Sequence, residues 1–200
     1  MACKGGAGQS LPRPTFVFAG NSVMKSAIAA AAALAMTGSG AGGAVPRWNP
    51  KAPENNQVLP AFSYGSVESV LTAIGARYQR SGTAAKPTLL VTFANNRKAV
   101  LALGGCTGGA ASCKSLSMQS NWTRIANSTP QRTAAAIQRF NQRYSFAKAF
   151  MTPDGQPGMQ HYLTADYGFI RGNLAVNLLV YATQVDRFAT QVLGPLEAKR

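Results

Sequence analysis

Cys106 and Cys113 stand seven residues apart in "GGCTGGAASCKSLSM", Gly104 to Met118, across a loop of glycine, alanine and serine. Two sulfurs so placed could hold a metal, exchange electrons or pin a turn. Metal binding needs about four ligands, usually in C-x-x-C pairs with histidine support. This chain offers two distant sulfurs and a single histidine, His161. Redox chemistry favours C-x-x-C at a helix start, where the thiolate is stabilised, and a seven-residue spacing in a hairpin loop gives no such help. A bridge remains. Facing strand ends of a hairpin lie about 5.5 Å apart, within reach of an S–S bond. Closing an eight-residue ring is worth roughly 2.5 kcal/mol by loop entropy. Cys106–Cys113 is therefore expected to be a structural disulfide, with no metal and no cofactor.

Other chemistry is thin. G-x-S-x-G and similar nucleophile motifs are absent, and acid–base work usually draws on clustered His, Asp or Glu. The six acids, Glu54, Glu68, Asp154, Asp166, Asp186 and Glu197, are spread along the chain. Asp154 reads as a turn residue, Asp166 as a cap ahead of the last helix, and His161 as an ordinary strand residue. Gly38, Gly40 and Gly43 spell a dinucleotide fingerprint, but an alanine run precedes them and Pro46 follows. The strand and helix that would seat a pyrophosphate are missing. No catalytic residue is assigned, and the chain is expected not to be an enzyme.

The charge is one-sided, with 20 Lys and Arg against 6 Asp and Glu, a formal +14. Such an imbalance attracts polyanions. It is scattered, however, and no zinc finger, RRM aromatic signature or basic zipper accompanies it. No nucleic-acid partner is expected; weak contact with an anionic envelope surface is.

Residues 1–44 are set apart as an N-terminal extension and signal peptide. In "MKSAIAAAAALAMTGSGAGGA", Met24 is the expected start, Lys25 a short positive region and Ala27 to Met36 an apolar run. Small residues suited to cleavage after Ala41 or Ala44 follow. Ten apolar residues are too few to cross a hydrocarbon core of about 30 Å. Removing this segment takes away Lys4, Arg13 and Lys25 and no acid, which lowers the formal charge from +14 to +11. Cys3 would leave with it. Export implies a periplasmic or secreted location, where a disulfide persists.

Residues 45–65 are rich in proline and read as an extended linker. Residues 66–193 form the folded unit. Val67, Val70, Leu71, Ile74 and Tyr78 recur at helical spacing. Thr88–Phe93 and Ala99–Leu103 are strand-like around Asn95-Asn96, which tolerate a hairpin turn, and Lys114–Trp122 alternates as a half-buried strand. Thr129 can cap a helix that Pro130 opens, with Ile137, Phe140 and Tyr144 as its apolar stripe. Two strands flank the turn at Pro153-Asp154-Gly155. Leu174, Leu178, Tyr181, Val185, Phe188 and Val192 then mark a long helix ending at Gly194-Pro195. Residues 194–200 make a basic tail. This is an α+β fold with a five-stranded antiparallel sheet, in the order α-β-β-β-α-β-β-α.

"GGCTGGAASCKSLSMQSNW" followed by "IQRFNQRYSFAKAFMTPDG" resembles the YbjN-like domain, a bacterial family labelled as a sensory transduction regulator. Cys106, Cys113, Ser115, Leu116, Asn141, Phe146, Ala149 and Asp154-Gly155 sit where its pattern places them. Phe140 stands where that pattern has tryptophan, and the acidic patches common in such domains are thin. The resemblance implies a fold similar to type III secretion chaperones, which bind proteins and often dimerise, and no catalytic residues. The expected function is thus an exported, non-enzymatic protein-binding domain, chaperone-like or regulatory in the cell envelope. Its partner is a protein, a second copy of the chain included, and the seam of Leu178, Tyr181, Val185 and Phe188 offers a surface for it. The alternative is a cationic binder of anionic envelope polymer or lipid.

Overall fold

The computed structural model describes residues 48–198. The signal peptide, Met24, both cleavage points, Cys3 and the last two basic residues lie outside the described residues.

The fold is α+β, built on a six-stranded antiparallel sheet. A short 3-10 turn (Pro53–Asn56) and β1 (Val58–Leu59) lead into α1 (Tyr64–Ala73). Ser63 caps that helix through a reciprocal pairing with Ser66, which satisfies free first-turn amides. Gly75, at φ 74°, turns the chain out of it. Then come β2 (Arg77–Thr83), β3 (Lys86–Thr92), β4 (Lys98–Thr107) and β5 (Ser112–Asn121) as successive hairpins. Asn96 sits at φ 61° in the turn between β3 and β4, as its residue type permits. Helix α2 (Pro130–Arg143) starts as expected, with the Thr129 side chain accepting from the Arg132 amide. Strands β6 (Lys148–Met151) and β7 (Pro157–Thr164) flank the turn at residues 153–155, and β8 (Phe169–Ile170) pairs with β1. Helix α3 (Arg171–Phe188) follows. The sheet order is β2-β3-β4-β5-β7-β6.

The sheet has six strands where five were expected, and the added one is β2. Its seven residues are all exposed, so no apolar alternation announces it, and Tyr78 belongs to it rather than to the first helix. Its register on β3 is continuous from Arg77↔Thr92 to Thr83↔Lys86. The linker reading fails for residues 53–62. Prolines there hide an apolar set: Leu59 and Phe62 are buried, and β1 pairs with β8. Asn55 ties the segment to α3, donating to the Asn49 and Pro50 carbonyls and accepting from Arg171. Asp166 does not cap the last helix; it lies in a bridge with Gly168, and Ile170 occupies the cap position without a side-chain bond. Nor does the helix stop at Gly194-Pro195. A wider π turn over Ala189–Leu193 carries it into a final turn, α4 (Gly194–Glu197). Pro195 has no amide to donate and its ring crowds the preceding turn, and a π turn absorbs that misfit.

One face of the sheet carries the core. Leu89, Leu101, Leu116 and Met118 are fully buried. Helix α1 lies on that side, since Glu68 pairs with Arg80 and Thr72 meets Tyr78, and Arg80 and Tyr78 stand opposite Leu89 and Val91. Helix α3 crosses the same side. Leu174, Leu178, Tyr181, Val185 and Phe188 are all buried, so the seam expected to offer a partner surface is wholly core. Along the far edge, the Asn141 side chain donates to the Ala149 carbonyl and accepts from its amide, both at 2.9 Å. An asparagine on α2 thus stands in for the strand that β6 lacks.

Tyr181 is the polar point in this core. Its hydroxyl donates to the Met159 carbonyl at 2.9 Å and lies 3.2 Å from the Ser120 hydroxyl. Burial pushes its pKa above the ordinary tyrosine value, which the Ser120 contacts only partly offset. The folded state therefore holds this proton more tightly than the unfolded chain. Its contribution to stability is complete below about pH 10 and is lost as pH rises past that point. Tyr181→Phe should cost on the order of 1–2 kcal/mol at neutral pH, because the Met159 carbonyl loses its partner. It should also flatten the alkaline decline. Urea unfolding of both proteins across alkaline pH checks this, and parallel declines would refute it.

Candidate functional site

Two features stand out: the hairpin holding the cysteines, and the sheet face that no described helix covers.

Cys106 and Cys113 face each other in the β4–β5 register and are bonded through their sulfurs, with Cα atoms 3.9 Å apart. The backbone explains the pairing. Cys113 exchanges both of its hydrogen bonds with Phe62, amide to carbonyl at 2.8 and 2.9 Å. In an antiparallel strand the two groups of one residue point the same way, so toward β4 Cys113 occupies a non-hydrogen-bonded position. Such pairs bring side chains closest. The loop beyond turns through Gly108 and Gly109, at φ 62° and 68°, where a Cβ would be strained. Phe62 packs its ring on Phe169, centroids 5.3 Å apart. One bridge therefore gathers β4, β5 and the segment entering α1.

The open face is built by alternation. With Leu89, Leu101 and Leu116 turned to the core, the intervening side chains of each strand face outward. Two rows cross the sheet in register: Leu90, Val100, Gln119 and Gln160, then Thr88, Ala102, Ser117 and Tyr162. Small residues occupy the middle, and larger ones the flanks: Leu90 is 45% exposed and Tyr162 61%. None of the six strands contains an aspartate or glutamate. A depression of about 460 Å³ indents the far side, where Ser117, Gln160 and Tyr162 meet Phe146 and Lys148. The two central rows on β3, β4, β5 and β7 carry no charge and are rich in hydroxyl and amide groups, with Arg77, Lys98 and Lys148 around them. This surface suits contact with another chain.

Sequence reasoning missed this face. Its signal was present in the outward positions Val100, Ala102, Ser115 and Ser117, which carry none of the charge that solvated strand faces usually show.

The acids remain dispersed. Glu68 is bound to Arg80 and Asp186 to Arg97, and Asp154 lies in the turn between β6 and β7. His161 stacks on Phe146, centroids 4.1 Å apart, and its Nε2 meets the Asn177 side chain at 3.1 Å. Among the described residues no group of His, Cys, Asp and Glu could hold a metal ion.

A family model described as "YbjN: Putative bacterial sensory transduction regulator" matches residues 63–193. No curated protein matches the chain. Among solved structures, the chain is similar to an uncharacterized protein from Methanothermobacter thermautotrophicus. The two are 11% identical, with a TM-score of 0.46, over 66% of this chain and 95% of that one.

The bridge should stabilise the hairpin without being needed for the fold, since the Phe62–Cys113 backbone pairing does not involve sulfur. Replacing both cysteines by alanine, which buries no hydroxyl at the enclosed Cys113 site, should cost about 2 kcal/mol. Circular dichroism should keep its sheet signature. Loss of folding in that double variant, or free thiols in protein prepared without reductant, would contradict this.

Proposed function

The chain belongs to the YbjN family, and from that premise we propose that it is a non-enzymatic protein-binding domain, chaperone-like or regulatory, working in the cell envelope after export. The observation that carries the reading is the open sheet face. Solvated strand faces normally carry charge, and net charge keeps surfaces apart. Basic residues edge this face, with Arg77 and Lys98 in one outer row and Lys148 on β6, while its centre leaves Leu90, Val100, Ala102 and Tyr162 outward without charge. The family's description as a regulator supports the same reading. The oxidising compartment that export supplies fits a bonded Cys106–Cys113 pair.

The partner contact should be apolar and hydroxyl-mediated, so salt should weaken it little. Affinity capture from an envelope fraction, with wild type and with Leu90→Lys/Tyr162→Lys, separates the alternatives. Proteins held by wild type through roughly 0.5 M salt and lost by the variant are the expected result. Both substitutions sit at exposed positions, so the unfolding midpoint should move by less than about 0.5 kcal/mol. Capture that collapses with salt and ignores the variant would favour an anionic envelope polymer or lipid instead.

Export has its own test. Protein recovered from its native host should begin near Gly42 or Val45. Intact mass retaining Met1 or Met24 on most molecules would overturn the envelope assignment.

A further inference from the structure

A second surface lies away from the open sheet, on the helical side. Arg132, Arg139 and Arg143 follow one line along α2. At 1.5 Å per residue they stand about 10.5 and 6 Å apart along the axis. They rim a groove of about 390 Å³ whose floor includes Ala136, Val192 and Leu196, all buried. Arg187, from α3, joins them: the guanidiniums of Arg143 and Arg187 lie 5.4 and 5.5 Å from the centre of the Tyr144 ring.

Four cations are thus gathered, none of them in an ion pair among the described residues. The two ion pairs among the described residues are Arg80–Glu68 and Arg97–Asp186, and neither uses any of the four. Like charges so close repel, and the arrangement is relieved by an anion. All four are arginines, whose planar forks match carboxylate or phosphate oxygens in pairs.

We propose that this groove binds an acidic segment of another protein, with carboxylates on Arg139 and Arg143 and an apolar side chain on the floor. The spacing fits. Alternate residues of an extended chain lie about 6.6 Å apart, close to one turn of α2. The other anionic surfaces fit less well. A bilayer contact needs apolar residues that project into the lipid, whereas here the apolar residues lie beneath the arginine rim. Single-stranded nucleic acid needs a free aromatic platform for its bases, and Tyr144 is already flanked by two guanidiniums with its hydroxyl donating to Gln191. Residues 1–47 and 199–200 contain no aspartate or glutamate, so the chain's own undescribed residues supply no side-chain carboxylate for these arginines. This inference is independent of the sheet face and stands or falls separately.

Fluorescence anisotropy tests it with the full chain and a short labelled peptide of alternating glutamate and serine with a central leucine. The arms for comparison are the same peptide with glutamine for glutamate, phosphatidylglycerol vesicles and a single-stranded oligonucleotide. Arg139→Gln/Arg143→Gln should weaken acidic-peptide binding at least about tenfold. Arg139→Lys/Arg143→Lys, which keeps the charge and loses the fork, should fall between that variant and wild type. Lys51→Gln/Arg77→Gln removes the same charge elsewhere and should change binding less than about twofold. Thermal unfolding should match across the set. Equal losses from the two glutamine variants, no preference over the glutamine peptide, or tighter binding of vesicles or oligonucleotide through the same arginines would each overturn the proposal.

Discussion

A sheet of six strands has two faces, and the described helices supply apolar cover for one of them. Everything else follows from that asymmetry. Helices α1 and α3 both lie on the side of Leu89, Leu101 and Leu116, and α3 spends its whole seam there. Tyr181 fixes where it sits, because a phenol at that depth must find an acceptor and finds one in the Met159 carbonyl. With the seam consumed, the arginine side of α2 remains open to another molecule. None of the described helices takes the outer face of the sheet.

The periphery is held by backbone mimicry more than by apolar mass. Asn141 completes the ladder of β6 with a side-chain amide. Phe62 completes the ladder of β5 beyond the reach of β7 and leaves Cys113 turned toward Cys106. These contacts stiffen both ends of the open face without covering it. An exposed surface with an uncharged centre and a basic border is an arrangement suited to binding.

Much of this was legible in the residues. The Thr129-Pro130 start of α2, the Asn95-Asn96 turn, the turn at Pro153-Asp154-Gly155 and the apolar seam of α3 all carry local signals that the fold obeys. The family pattern marked Asn141 and Ala149, though not that one bonds the other. What escaped had no local signature. Strand β2 is exposed on both faces and lacks any period, so only its pairing with β3 defines it. Phe62 and Leu59 lie among prolines and find their partners some fifty to a hundred residues away. The arginine groove joins α2 to a π turn near the C-terminus, a juxtaposition that no spacing along the chain reveals.

The central claim is that the uncovered sheet face is where a protein partner sits. Hydroxyl-radical footprinting of the full chain, alone and then with envelope extract, tests it most directly, reading Leu90 and Tyr162 on the face against Tyr167, fully exposed in the loop before β8. The account predicts that Leu90 and Tyr162 react readily in the isolated protein and become protected with extract, while Tyr167 stays reactive throughout. Protection of Tyr167 with Leu90 and Tyr162 unchanged would contradict it.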